Sequence, residues 1–507
     1  MSEKFLVSRT GSTVAGGLPL IIYLLGIACF LWGGSGLASF PLDDAWIHRV
    51  YSRAFAAGQG FAYNPGVQEA GATSPLWVIV TSPAHWLEPF GVHAAVLGVK
   101  SIAVILGVMS IFVFQAIVRH MTESPTVAVV AASLLAVEPR LPFSSLSGME
   151  TPLLIVLWLG GIYAFLKRKW ILSATLVGLT PITRPESLVV VPICAIVFLL
   201  SNTKSPLWKR VVVLLALGLP FFLWTLLCKR TTGHWLPNTY YLKSRPVQLT
   251  HQVLVDAWHV VTSHGFASLF IFVVGVIVGA FYLVNRQRVA VLVFLVLGPL
   301  VYLTGVVGSR QIVTEGYYWT RWVDPTSVLL TAAFALGYSL LLTGNVNPSR
   351  RRKPRARSVV MAVAILGLVV CIPAFARSFQ DRRTRLITDS QAIDRINVAA
   401  GLWIREHTPP SAIIGVNDAG AIRYFGERYT VDLLGLNNQD VAFRRVSPAE
   451  SLVQNDWLAI FPSVFAQQKA LIDVYFEPVT VFQIPLAEYT ICDCPGQTTK
   501  AIYKRKP

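Results

Sequence analysis

The chain has 507 residues, 54% of them hydrophobic and only 14% charged. At a mean hydropathy of +0.57, that apolar surface cannot be wrapped around one water-soluble core, which excludes an ordinary globular enzyme. The net charge of +17 does not point to nucleic acid, because most of the excess lies in clusters between apolar runs, where Lys and Arg set topology and meet anionic lipid.

The predicted class is mainly α: a polytopic helical membrane bundle followed by a small α/β domain. Apolar runs at residues 18–38, 94–118, 126–137, 152–166, 170–182, 188–200, 211–227, 266–284, 289–307, 327–342 and 359–376 predict about eleven spans of a hydrocarbon core roughly 30 Å thick. Basic clusters at Lys167-Arg168-Lys169, Lys209-Arg210, Arg286 with Arg288, and Arg350-Arg351-Arg352-Lys353 all fall on one side if the N-terminus is cytoplasmic. That parity requires the segment 75–90, with Pro75, Pro83 and Pro89, to lie along the outer face rather than cross. The expected division is a membrane domain over 1–376, with a first outer loop at 38–93, and an extracytoplasmic α/β domain over 377–507, in a cell inner (plasma) membrane.

The most informative stretch follows the first apolar run: Pro41-Leu42-Asp43-Asp44-Ala45-Trp46-Ile47-His48. Two adjacent carboxylates at the membrane surface are costly unless they do chemistry, bind something or cap a helix. The same topology brings other polar groups to the outer face. These are Glu69, Glu138 with Arg140, Glu150 in Gly148-Met149-Glu150-Thr151-Pro152, Arg184 and Glu186 in Thr183-Arg184-Pro185-Glu186, and Lys229-Arg230. Asn238 and Tyr240 in Pro237-Asn238-Thr239-Tyr240-Tyr241, then Lys243 and Arg245, and Tyr317 and Arg321 in an aromatic loop complete the set. Charges converging on one face from distant parts of a chain usually line a cavity or substrate path.

The order of these motifs, with Tyr63-Asn64-Pro65-Gly66 and Thr73-Ser74-Pro75-Leu76-Trp77, resembles the GT-C superfamily of integral membrane glycosyltransferases, and most of all bacterial members grouped with cell-wall arabinofuranosyltransferases. The resemblance extends into the tail through Asn417-Asp418-Ala419-Gly420-Ala421-Ile422-Arg423-Tyr424-Phe425. It implies a polyprenyl-phosphate-linked sugar donor, a glycan or glycolipid acceptor, the lipid bilayer as surroundings, and inversion at the anomeric carbon. Asp43 aligns with the acidic residue after the first span in that superfamily and is the expected general base, with Asp44 positioning the acceptor or sharing the proton. Relatives carry Glu-Gly-Tyr-Thr before the Pro-Leu-Trp element, whereas this chain reads Glu69-Ala70-Gly71-Ala72-Thr73. That departure bears on acceptor or sugar preference.

The residues fit this chemistry on their own terms. A lipid phosphate is already a good leaving group, so one base and nearby cations suffice. Arg184, Lys243, Arg245 and Arg321 are the candidate phosphate contacts, and Glu69, Glu150, Glu186, Asn238, Tyr240 and Tyr317 the remaining substrate contacts. Structural uses compete with each role: Asp43 and Asp44 as caps of a helix running to Ala57, Glu150 as cap of the helix opened by Pro152, Arg184 with Glu186 as a mutual ion pair, and Lys243 and Arg245 as snorkelling cations. Asp44 and His48, four residues apart, could face each other across a divalent metal, but no cofactor is firmly implied.

In the tail, 390–405 has helical apolar spacing, 412–416 and 429–434 read as strands, and 419–424 as a short helix. A transporter or flippase of a lipid-linked saccharide is the competing class. Such folds usually show internal repeats and broken helices near the midplane, and no period is visible here.

Overall fold

The computed structural model describes residues 3–33, 38–243, 266–286, 288–310, 317–345, 354–491 and 496–507. Arg245 lies outside them, as does the basic run 350–353, and of Tyr317 only the backbone is described.

Among the described residues, five helices are long and apolar enough to cross a bilayer: Val92–Thr122, Leu207–Thr232, Val289–Val306, Asp324–Thr343, and the apolar part of Arg357–His407. The pair Pro125–Ala136 and Arg140–Leu146, bent by 57°, adds a sixth if it crosses as one. Gly16–Leu31, Thr151–Leu166, Pro185–Ser201 and Leu269–Asn285 are shorter apolar helices. Several of the expected segments fall among these shorter helices, whose apolar residues also fill the bundle interior. Thr151–Leu166, for example, is buried at all but a few positions, and the helix at Trp170–Gly178 has only 9 residues.

Helix contact in the bundle depends on small residues. A Cβ on Gly337 would come within 1.9 Å of the Gly275 carbonyl oxygen and 2.4 Å of the Gly279 amide nitrogen, and neither backbone atom can step aside independently. Gly337→Ala is expected to cost ~1–3 kcal/mol, read as a lower melting temperature in detergent. An unchanged melt would mean that the two helices do not approach this closely.

The loop over 38–93 is built by its own sequence. Asp43 opens the helix Asp43–Ala56, and the strands β1 (Ala62–Asn64) and β2 (Val67–Gln68) pair antiparallel around Gly66. Pro75 sits in the first turn of Pro75–Thr81, where its missing N–H is not needed. Pro83 and Pro89 then tighten the chain into a 3-10 segment, Ser82–Phe90. Neither piece is long enough to span a bilayer. The Trp77 indole donates to the Gly148 carbonyl at 3.0 Å and the Leu76 amide to the Ile182 carbonyl at 3.1 Å. Three distant loops are thereby locked together.

The tail carries a five-stranded mixed sheet of β3 (Ile413–Val416), β4 (Tyr429–Asp432), β5 (Trp457–Ile460), β6 (Phe476–Gln483) and β7 (Thr499–Arg505), in the order β4-β3-β5-β7-β6. β3 is parallel to both neighbours, while β7 is antiparallel to both of its own. The anticipated boundary at 376/377 falls inside a helix, Pro354–Ile393, that continues through a π turn into Ala399–His407. The tail also packs on the loop over 38–93. Trp46 lies 5.0 Å from the Tyr424 ring and 4.8 Å from that of Phe425. Tyr63 donates to the Ala419 carbonyl at 2.7 Å, and Asn64 and Thr430 exchange hydrogen bonds of 2.9 and 3.0 Å.

Candidate active site

The two adjacent aspartates face different neighbours. Helix Asp43–Ala56 has Leu42 at its N-cap and no side-chain cap, so the self-capping role open to Asp43 and Asp44 is not the one they take. The Asp43 carboxylate reaches across to the tail instead. Its Oδ2 accepts from the Gly420 amide at 2.7 Å, and its Oδ1 from the Ala421 amide at 2.8 Å and the Asn397 side-chain amide at 3.1 Å. The first two donors open the short helix Ala421–Gly426, so Asp43 caps a helix more than 370 positions away. Gly420 is required for this approach, since a Cβ there would lie 2.1 Å from the Asp43 carbonyl oxygen.

Asp44, with 27% of its side chain exposed, is gripped by a buried guanidinium: Arg321 places Nη1 3.0 Å from Oδ2 and Nη2 3.2 Å from Oδ1. Arg321 is itself held between aromatic faces, 4.6 Å from the Tyr318 ring centre and 4.7 Å from that of Trp322.

These surroundings separate the two carboxyls. Burial, and then the neighbouring Asp418 charge, push Asp43 up to about 7 against the pull of the tail amides and Lys500. Burial would raise Asp44 too, but Arg321 and then Lys243 outweigh it and hold that carboxyl well below the usual range. Lys243 is thus within electrostatic reach of Asp44.

Beneath the pair, Arg184 Nε lies 2.7 Å from Glu150 Oε1 and His48 Nε2 lies 3.4 Å from Glu150 Oε2. All three are buried. Glu150 occupies the N-cap position of Thr151–Leu166 without a side-chain cap bond, which corrects the capping role. Burial opposes ionisation of Glu150, yet Arg184 and His48 bring its carboxyl down to about 2. Glu150 is the 2.7 Å contact of Arg184, while Tyr302 and Glu186 act on its charge from nearby. His48 therefore faces Glu150, and among the described residues no group of three His, Cys, Asp or Glu is close enough together to hold a metal ion.

Glu69 and Asn238 meet at a second contact with the tail. Asn238 donates to Glu69 Oε2 at 3.2 Å, and the Gln439 amide reaches Oε1 at 3.5 Å. Burial raises the Glu69 carboxyl to about 7 even though Asn238 opposes it. Tyr240 is half exposed beside Tyr241, away from the aspartates' polar contacts. Lys229 and Arg230 end the helix Leu207–Thr232 on the surface. Glu138 and Arg140 form a separate buried cluster, with Arg140 at 3.0 Å from Glu138 and 3.5 Å from Asp324, which also meets Arg382 at 3.4 Å.

Sequence reasoning missed Asn397 and Lys500 and read Asp418 as a turn residue or part of a covering loop. Lys500 had no signal of its own in the sequence, since its burial in β7, ahead of Ala501 and Ile502, shows only in the folded sheet. Asn397 had none beyond being polar in an apolar helix.

Residues 386–502 match a family described as a domain of unknown function, DUF8728. No curated protein matches the sequence. Among solved structures, the chain is similar to ArnT from Cupriavidus metallidurans bound to undecaprenyl phosphate, at 12% identity and a TM-score of 0.56, over 99% of this chain and 98% of that one. It is similar, too, to the archaeal oligosaccharyltransferase AglB from Archaeoglobus fulgidus, in complex with an inhibitory peptide and a dolichol-phosphate, at 13% identity and a TM-score of 0.53, over 95% of this chain and 74% of that one. The chain therefore shares its overall fold with these two proteins.

Proposed function

We propose that the protein is an inverting glycosyltransferase that moves a sugar from a polyprenyl-phosphate donor to an envelope glycan or glycolipid on the outer face of the membrane. The observation that carries this reading is the opposed environment of Asp43 and Asp44. One carboxyl is poised near neutrality among tail amides, and its neighbour is kept ionised by a buried arginine. Adjacent titratable groups driven apart in this way mark acid–base assignments. The arrangement supports Asp43 as general base. The acceptor hydroxyl gives its proton to Asp43, its oxygen bonds the anomeric carbon from the face opposite the phosphate, and the bond from that carbon to the phosphate oxygen breaks. Polyprenyl phosphate then leaves with the electron pair, its growing charge met by Arg321 and Lys243. Asp44 orients Arg321, and the Glu150–Arg184 pair supports the floor of the site. Both likenesses were solved with a polyprenyl or dolichol phosphate bound, which fits a lipid-phosphate donor.

The test is transfer by the purified full chain in liposomes, with a panel of polyprenyl-phosphate sugars and release of polyprenyl phosphate as the readout. Consumption of at least one donor with an inverted product is expected. A panel left untouched in the presence of envelope acceptors would remove the glycosyltransferase reading.

A further inference from the structure

One contact between the tail and the helix Asp43–Ala56 is polar and runs through the Asp43 carboxylate. Asn397, 2% exposed, spends its side-chain amide on two acids, Asp43 Oδ1 at 3.1 Å and Asp418 Oδ2 at 3.2 Å. Lys500, whose side chain is fully buried, closes the array with Nζ at 2.7 Å from Asp418 Oδ2, and rests 4.1 Å from the Phe461 ring centre. A lysine buried in a strand costs several kcal/mol unless it is paired. A hydrophobic residue would have served the sheet at no such cost, so packing alone does not account for this array. Every member other than Asp43 belongs to the tail.

We propose that the C-terminal domain completes the catalytic site, with Asn397, Asp418 and Lys500 as positioning residues that aim the Asp43 carboxylate and set the charge around it. This rests on the glycosyltransferase reading above. The charged groups acting on Asp43 are Asp418 from the loop after β3 and Lys500 from β7, and Tyr63 from β1 and Tyr489 from the segment after β6 feel its charge in turn. Asp418 disfavours ionisation of Asp43, whereas Lys500 favours it. The two tail residues therefore act on the Asp43 charge in opposite directions.

The experiment is the pH dependence of kcat/KM for the full chain, wild type against Lys500→Met, Asp418→Asn and the double variant, with a parallel infrared titration of the Asp43 carboxyl band identified by its loss in Asp43→Asn. Lys500→Met is expected to move the acid limb up, and Asp418→Asn to move it down, each by about one pH unit. The double variant, which buries no unpaired charge, should fold best and fall between them. Coincident limbs and coincident infrared titrations in all active variants would overturn the proposal and leave the array as packing. If wild type transfers no sugar, the functional reading fails on its own, and the infrared shifts, present with opposite signs or absent, still decide whether the tail governs Asp43.

Discussion

Asp43→Asn is expected to lower transfer by more than about a hundredfold while leaving the donor KM within a few-fold of wild type, as for a group that acts in the transition state and not in donor binding. The amide oxygen of the replacement can still accept from Ala421, but its nitrogen would face the Gly420 N–H, donor against donor. That mismatch is expected to cost ~1–3 kcal/mol, so rates must be compared at equal folded fraction. The pH profile supplies a second reading of the same residue. With its carboxyl at about 7, Asp43 is a base only above that pH, because protonation on the acid side removes the acceptor for the hydroxyl proton. In wild type, kcat/KM is therefore expected to drop about tenfold per pH unit below 7 and to level off above it. Full activity in Asp43→Asn together with loss in Asp44→Asn would transfer the base role to Asp44, whose low-lying carboxyl would give no such limb in the neutral range.

What the sequence made legible, and what it hid, divides by distance along the chain. Composition alone exposes the apolar helices, and charge parity together with Pro75, Pro83 and Pro89 sets 75–90 apart from a span. The expected strand at 412–416 corresponds to β3 at Ile413–Val416, and the helix expected to run to Ala57 ends at Ala56. Near neighbours are the partners a sequence displays, and distant ones are not. Arg184 has Glu186 two residues on, whose charge acts on it, yet its 2.7 Å contact is the distant Glu150. Glu150 and Asp43 were weighed as caps of helices they open, and both turn to distant groups. Helix caps and i,i+4 pairs follow from local geometry that a sequence displays, whereas an ion pair between loops depends on a tertiary arrangement that a single sequence does not encode by spacing. The strands β5, β6 and β7 went unread for a related reason: β5 is four uniformly buried residues without alternation, and β7 holds its lysine inward.

Arg321 carries the second large effect. Its guanidinium is 3% exposed, is clamped by Tyr318 and Trp322, and meets both oxygens of Asp44. Such a fork is fixed before any substrate arrives, which is the condition under which a cation stabilises charge developing on a leaving phosphate. Arg321→Ala is expected to cost about 10²- to 10³-fold in kcat/KM for the lipid-phosphate donor. Arg321→Lys should recover only part of it, because a point charge does not reproduce the two-pronged contact. Part of either loss comes from Asp44, left as a carboxylate without its counter-charge, and a double-mutant cycle separates that part from the rest. Asp44→Asn combined with Arg321→Met removes both charges together, so melting temperature is expected to return close to wild type while transfer stays low and donor KM stays high. Recovery of transfer along with stability would reduce Arg321 to a counter-ion of Asp44, and the donor phosphate would then have to be met by Lys243 instead.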